Sequence, residues 1–323
     1  DMGDFDRKFF SGGCAVKKCN WQAISFMAVG LFIVGLAVSV PARAQPPMKE
    51  RPGPPSKIEE DVAQRPRAGI DVSRIINIES IGFFSTKEVG PWGRIFSDET
   101  ERVILAKGDM VYVAMKRGRQ TKPGDLFTLY RQTPDTVGYL ISFLGRIVLK
   151  EQLKERGKKQ IKEELYKAEI VENYQGMRVG DPILPFYPIS SCVWPTQPDW
   201  GKLKKLKGCE DLRECRVSIV SSMGQREIIG QFSVIYLAAG YNYGIRRGNI
   251  FKIIKKRGDD APREPALPDV ILGHMLVLEA RPDTATGVVL SATAEFSKEA
   301  FVKTISWSEA KGVLSVLPEC ASK

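Results

Sequence analysis

Residues 95–131, IFSDETERVILAKGDMVYVAMKRGRQTKPGDLFTLYR, return at residues 219–255 as IVSSMGQREIIGQFSVIYLAAGYNYGIRRGNIFKIIK, without a gap and at a constant offset of 124. Ile95 meets Ile219, Ser97 meets Ser221, Arg102 meets Arg226, Tyr112 meets Tyr236, Gly124 meets Gly248 and Phe127 meets Phe251. Most other inward candidates stay apolar, as Leu105 with Ile229 and Val111 with Ile235. Self-similarity of this length means one folded unit encoded twice.

The unit reads as β. Met110-Val111-Tyr112-Val113-Ala114 and Val234-Ile235-Tyr236-Leu237-Ala238 have the β-branched and aromatic content of strands. Lys122-Pro123-Gly124-Asp125 is a turn, with proline fixing one φ and glycine supplying the positive φ that follows; Arg246-Arg247-Gly248-Asn249 keeps the glycine. Ile271-Leu272-Gly273-His274 is placed where Val137-Gly138-Tyr139 stands in the first copy. Asp71 to Phe84 reads as a leading strand, Lys150 to Lys167 as part of a two-stranded arm special to the first copy, Cys209 to Cys215 as a short helix, and Ile305 to Leu317 as a further strand. Five or six short strands per unit with glycine-marked turns close into a barrel, which removes exposed edges. The fold class expected is mainly β, with two tandem small β-barrel-like domains.

Working outward, the organisation expected is a signal peptide over 1–44 and a proline-rich flexible linker over 45–70. A first barrel-like repeat follows over 71–188, with its extended arm at 147–170. A Cys/Lys-rich connector spans 189–215, a second barrel-like repeat 216–304 and a C-terminal tail 305–323. Lys17 and Lys18 precede an apolar run from Ala23 to Val40, and Ala42 and Ala44 form a small-residue cleavage site before Gln45. The alternative is an inner-membrane anchor retained over 23–40. Without the leader the chain keeps 43 Lys+Arg against 35 Asp+Glu, a basic balance that attracts anionic surfaces or simply maintains solubility. Cys192, Cys209, Cys215 and Cys320 then remain, an even number that suggests disulfides in an oxidising compartment. A bridge within the Cys192, Cys209, Cys215 cluster is expected; a zinc site is disfavoured, since no Cys-x-x-Cys pair exists.

Chemistry is sparse. His274 is the single histidine and is placed on a strand, and no Gly-x-Ser-x-Gly elbow exists. Asp109, Asp125 and Asp181 each follow a turn glycine, where a carboxylate ordinarily bonds nearby backbone. No enzyme activity, catalytic residue, cofactor or metal is expected. Tyr241 and Tyr243, beside Arg246 and Arg247, are the candidate ligand-binding residues, able to stack on a sugar. Their alternative role is to cap the barrel. Nucleic acid is disfavoured by the export signal.

Gly82-Phe83-Phe84-Ser85, Gly108-Asp109-Met110-Val111-Tyr112-Val113, Lys122-Pro123-Gly124-Asp125-Leu126-Phe127-Thr128 and Val179-Gly180-Asp181 occur in that order. This set resembles LysM-type peptidoglycan-binding bacterial envelope proteins with tandem domains like the C-terminal domain of the flagellar assembly protein T family. The resemblance covers Gly82 to Thr304; no LysM module is legible before it. It implies a secreted, non-enzymatic periplasmic scaffold or adaptor, peptidoglycan-associated or part of a surface machine. The partners implied are envelope proteins, with peptidoglycan or an anionic membrane surface as further candidates. A carbohydrate-binding module is the alternative function and a cell-wall hydrolase the third. The sequence leaves the oligomeric state open.

Overall fold

A computed structural model describes residues 68–100, 102–153, 163–211, 215–255 and 268–320. The expected signal peptide over 1–44, the retained anchor over 23–40 and most of the linker lie outside these residues. The strands of the first half are β1 (Ile70–Asp71), β2 (Phe83–Ser85), β3 (Gly93–Asp98), β4 (Ile104–Leu105), β5 (Met110–Lys116), β6 (Leu126–Asp135), β7 (Gly138–Gln152), β8 (Glu163–Asn173), β9 (Met177–Arg178) and β10 (Pro182–Pro185). Then come β11 (Cys192–Val193), the short helix α1 (Trp200–Leu203), β12 (Val217–Ser222), β13 (Val234–Leu237), β14 (Ile250–Lys255), β15 (Val270–Ala280), β16 (Ala285–Ala292), β17 (Phe301–Thr304) and helix α2 (Trp307–Leu314).

The duplication is visible in the pairing. The first barrel runs β7-β6-β10-β3-β5-β8 and closes through β7–β8, with β2 added to the outside of β7. The second runs β15-β14-β17-β12-β13-β16 and also closes, so every strand of one has its counterpart at the same place in the other. Even an irregularity is copied. Ile95 pairs Val113 and Ser97 pairs Tyr112 across a bulge; Ile219 pairs Leu237 and Ser221 pairs Tyr236 across another. A bulge bends its strand and sharpens the local twist, which helps so small a sheet to close.

Turns recur as well. In Ala106–Asp109, Lys122–Asp125 and Arg178–Asp181 the first residue's amide donates to the aspartate carboxylate, at 2.8, 2.9 and 2.8 Å. The three aspartates are therefore turn-closing groups. Asn249 repeats the device in the second copy by accepting from the Arg246 amide at 2.7 Å.

Pairing corrects one alignment. Gly273 opposes Ile253 just as Gly145 opposes Leu129, so Ile271–His274 corresponds to the region of Gly145-Arg146 and not to Val137–Tyr139. The reason is close packing. A Cβ on Gly145 would lie 2.2 Å from the Glu172 carbonyl oxygen, and one on Gly273 would lie 2.0 Å from that of Ser291. Both positions need glycine so that the neighbouring strand can approach.

Other expectations change with local chemistry. Asp71 to Phe84 is not one strand. Asp71 and Asn77 accept from the amides of Ser73 and Glu79, and these bonds start 3₁₀ turns at Val72–Arg74 and Ile78–Ser80. The tail forms helix α2 rather than a strand: Ser306 caps the Glu309 amide, a Ser-x-x-Glu start signal. The helix of the connector lies at Trp200–Leu203, capped by Asp199, upstream of the Cys209–Cys215 segment. The strands of the expected arm at 147–170 stand in the barrel wall, since β8 pairs β7 on one side and β5 on the other. Their connection, 154–162, lies outside the described residues.

Each barrel has an apolar interior, built on Val113, Phe127, Leu129 and Ile147 in the first and Leu237, Phe251, Ile253 and Met275 in the second. The second is also buried outside. Tyr236, Leu276, Leu278, Val288 and Leu290 are covered by Val72, Ile78 and Ile81 from the leading segment and by Trp307 and Ala310 of α2. Hence β8 alternates buried and part-exposed positions while six successive residues of β16 are buried.

Two disulfides lock this arrangement. Cys209 joins Cys215 within the connector, as the cysteine cluster suggests, and Cys192 joins Cys320 across 128 residues. All four cysteines are thereby withdrawn from metal ligation. Disulfides of this kind fit an oxidising, extracytoplasmic compartment. Among the described residues no helix is long and apolar enough to cross a membrane.

Asp98, 2% exposed, supplies a pH-dependent part of the stability. Hydrogen bonds, from the Thr100 hydroxyl first and the Arg102 and Thr100 amides after it, outweigh burial and hold its carboxyl at about 2. A lowered carboxylate pKa stabilises the fold above the unfolded value near 3.8, and that contribution is lost as pH falls through about 2. Asp98→Asn should remove about 2 kcal/mol of this acid-sensitive stability. Urea melts at pH 6 and at pH 3 would then differ less for the variant than for the wild type.

Candidate functional site

The four residues singled out in the sequence are near one another in the chain but have different duties. Tyr241 and Tyr243 lie on a 3₁₀ turn, with Tyr241 exposed and Tyr243 packed against the interior cluster of the second barrel. Arg246 is exposed. The Arg247 guanidinium donates to the carbonyls of Leu278, Ser190 and Cys192. Burial lowers its pKa, the expected effect on a cation surrounded by backbone. Arg247 is thus a clamp on the connector. Gly248 beside it lies against the same segment, its carbonyl accepting from the Thr196 amide at 2.8 Å.

A concave surface forms elsewhere, at the seam of the barrels. It is a groove of about 320 Å³. Phe83 of β2, Trp92 before β3, Phe143 of β7 and Leu184, Phe186 and Tyr187 at the end of β10 supply its apolar lining. The second barrel contributes Glu279 and Arg281 from the end of β15.

The groove is stiffly built. Phe83 meets Phe143 edge-on at 5.9 Å, and the Arg281 guanidinium covers the Phe83 ring at 3.3 Å. Arg119 stacks on Trp92 and Arg146 on Phe186, each at 4.6 Å. Two bonds fix β2 against the second barrel: the Tyr236 hydroxyl donates to the Ile81 carbonyl at 2.6 Å, and the Thr284 hydroxyl to the Phe84 carbonyl at 2.7 Å. Burial raises the Tyr236 pKa far above neutrality, so this donor keeps its proton. Tyr174, pushed up to about 12 mainly by burial, likewise stays a donor and bonds Glu79 at 3.3 Å.

Charges around the groove are internally matched. Glu79 pairs with Arg146 at 3.0 Å and Glu279 with Arg281 at 3.2 Å. The surface offered to a ligand is therefore mainly aromatic and aliphatic, suited to holding an apolar segment in place.

His274 is half-buried on β15 with Nδ1 3.2 Å from Ser291 Oγ; desolvation, the main cause, lowers its pKa. Among the described residues no cluster of three or more potential metal ligands occurs.

Sequence reasoning missed this groove because its residues come from positions 79 to 281 and only the fold collects them. The available signal was Phe186-Tyr187 between Pro185 and Pro188, an aromatic pair at the end of the first repeat. No protein-family model matches the chain, and no curated protein matches it.

Proposed function

We propose that the chain is an exported, non-enzymatic scaffold or adaptor of the bacterial periplasm that grips an envelope protein through the inter-barrel groove. The observation that carries this reading is the groove itself: an aromatic-lined channel with matched charges between two closed barrels. Rigid aromatic walls bind an extended apolar peptide at low ordering cost. Tyr187, 74% exposed at the rim, would cover such a segment. The leader with its Ala-x-Ala end supports export, the disulfides fit that destination, and the resemblance to flagellar assembly protein T-type domains points to a surface machine as the setting.

A photo-cross-linking amino acid at position 187, compared with one at 241, tests this in cells. A discrete adduct to one envelope protein from position 187, lost when Phe143→Ala is added and absent at 241, is the expected result. Adducts from 241 alone would contradict it. Sacculus binding abolished by Tyr241→Ala with Tyr243→Ala, and untouched by Tyr187→Ala, would favour the carbohydrate-module alternative instead.

A further inference from the structure

One turn occurs in both repeats with the same bonds, yet one copy departs from glycine. Ala106–Asp109 and Gly230–Ser233 are equivalent in the repeat. In each, the first amide donates to the last side chain, Asp109 at 2.8 Å and Ser233 at 3.2 Å. The third amide donates to the adjoining strand, Gly108 to the Ile170 carbonyl at 2.7 Å and Phe232 to that of Val289 at 2.8 Å. Both third residues have positive φ, 91° for Gly108 and 62° for Phe232. Glycine takes that conformation freely, whereas a bulky aromatic residue is strained in it. The turn gains nothing from phenylalanine, and with the ring 48% exposed the core gains little. Strain retained without a folding benefit points to a use for the side chain.

The Phe232 ring stands at a concave surface of about 530 Å³ beside helix α2. Ile75, Leu290, Val313, Val316 and Leu317 supply the apolar wall. The charged or titratable members are Arg74 and His274, and among the described residues no carboxylate lines the surface. Other polar groups are engaged. Gln231 donates to the Leu290 carbonyl at 3.0 Å, and His274 Nδ1 lies 3.2 Å from Ser291 Oγ. Lys252 of β14 and Glu309 of α2, the charges near His274, pair with each other at 3.4 Å. Asp71, whose carboxylate feels the Arg74 charge, is bonded to the Ser73 amide and hydroxyl. Arg74 is thus left to meet a ligand.

An occupant must cover an apolar wall and bring one negative charge. A peptide would press amide groups, unpaired, against that wall; an acyl chain has none to leave unpaired. We infer that this surface binds a single-chain lipid with an anionic head, its chain against Phe232 and its head on Arg74. The site is separate from the inter-barrel groove and stands whatever that groove holds.

His274 is the single histidine, so its ring signals in NMR report occupancy directly. Laurate, kept below its micelle concentration, should shift them saturably. Phe232→Gly restores the residue of the first copy; it should weaken laurate about tenfold and melt no lower than the wild type. Arg74→Gln should weaken laurate about fivefold. Dodecyltrimethylammonium, with a similar chain and a cationic head, should bind the wild type about tenfold more weakly than laurate. No saturable shift, equal binding by Phe232→Gly, or equal affinity for the two heads would overturn the inference. A Phe232→Gly protein melting well below the wild type would show the ring to be packing and overturn it too. So would anionic phospholipid vesicles that bind through Phe232 while laurate neither binds nor competes, the mark of a membrane surface.

Discussion

Replacing Cys192 and Cys320 together by alanine lowers the unfolding free energy by about 3–5 kcal/mol and the melting temperature by roughly 10 °C. The bridge closes 128 residues, so its removal restores a large loop-closure entropy to the unfolded chain. It also holds the end of the chain. Around it the Cys320 amide donates to the Gly69 carbonyl at 2.9 Å and the Asp71 amide to the Pro318 carbonyl at 2.8 Å. With that anchor gone, α2 loosens and uncovers Leu278 and Leu290 on the outside of the second barrel. Cys209 and Cys215 are only six apart, and the same replacement there costs about 2 kcal/mol. Urea melts followed by tryptophan fluorescence provide the comparison. A loss below about 1 kcal/mol for the 192–320 pair would mean that the tail is held by packing alone.

The second large effect separates two glycines that the sequence makes equivalent. Gly124 and Gly248 have φ of 93° and 90°, so alanine at either position is strained by about 1–2 kcal/mol. At Gly124 a Cβ would meet nothing within 4 Å. At Gly248 it would lie 2.0 Å from the Trp194 carbonyl oxygen, against connector backbone held by the Thr196 amide. Gly124→Ala should therefore cost about 1–2 kcal/mol, and Gly248→Ala about 3–4 kcal/mol once overpacking is added. Equal losses would remove the connector's tight seat on the second barrel from the account.

This pair illustrates what sequence can and cannot say. The need for glycine at both turns was legible, because a positive φ is a local property. The collision at Gly248 was not, since Trp194 comes from the connector and reaches the turn only after folding. The barrels were legible for the same reason as the turns: a repeat that keeps strands and glycines in order keeps the sheet order. His274 was aligned with Tyr139 because both follow a glycine; only strand register reveals that the true counterpart of Gly273 is Gly145. In the candidate site, Tyr241, Tyr243, Arg246 and Arg247 attracted notice by proximity in the chain. The groove depends instead on Phe83, Phe143, Tyr187 and Arg281, which share no local pattern.

The claim beneath all of this is that one barrel occurs twice with one strand order. Cross-strand backbone contacts measured by NMR on the deuterated protein address it most directly. The account predicts Ser97 beside Tyr112 and Ser221 beside Tyr236, with closing contacts from β8 to both β5 and β7 and from β16 to both β13 and β15. Absence of the closing contacts in either copy, or a different register at Ser221, would contradict it.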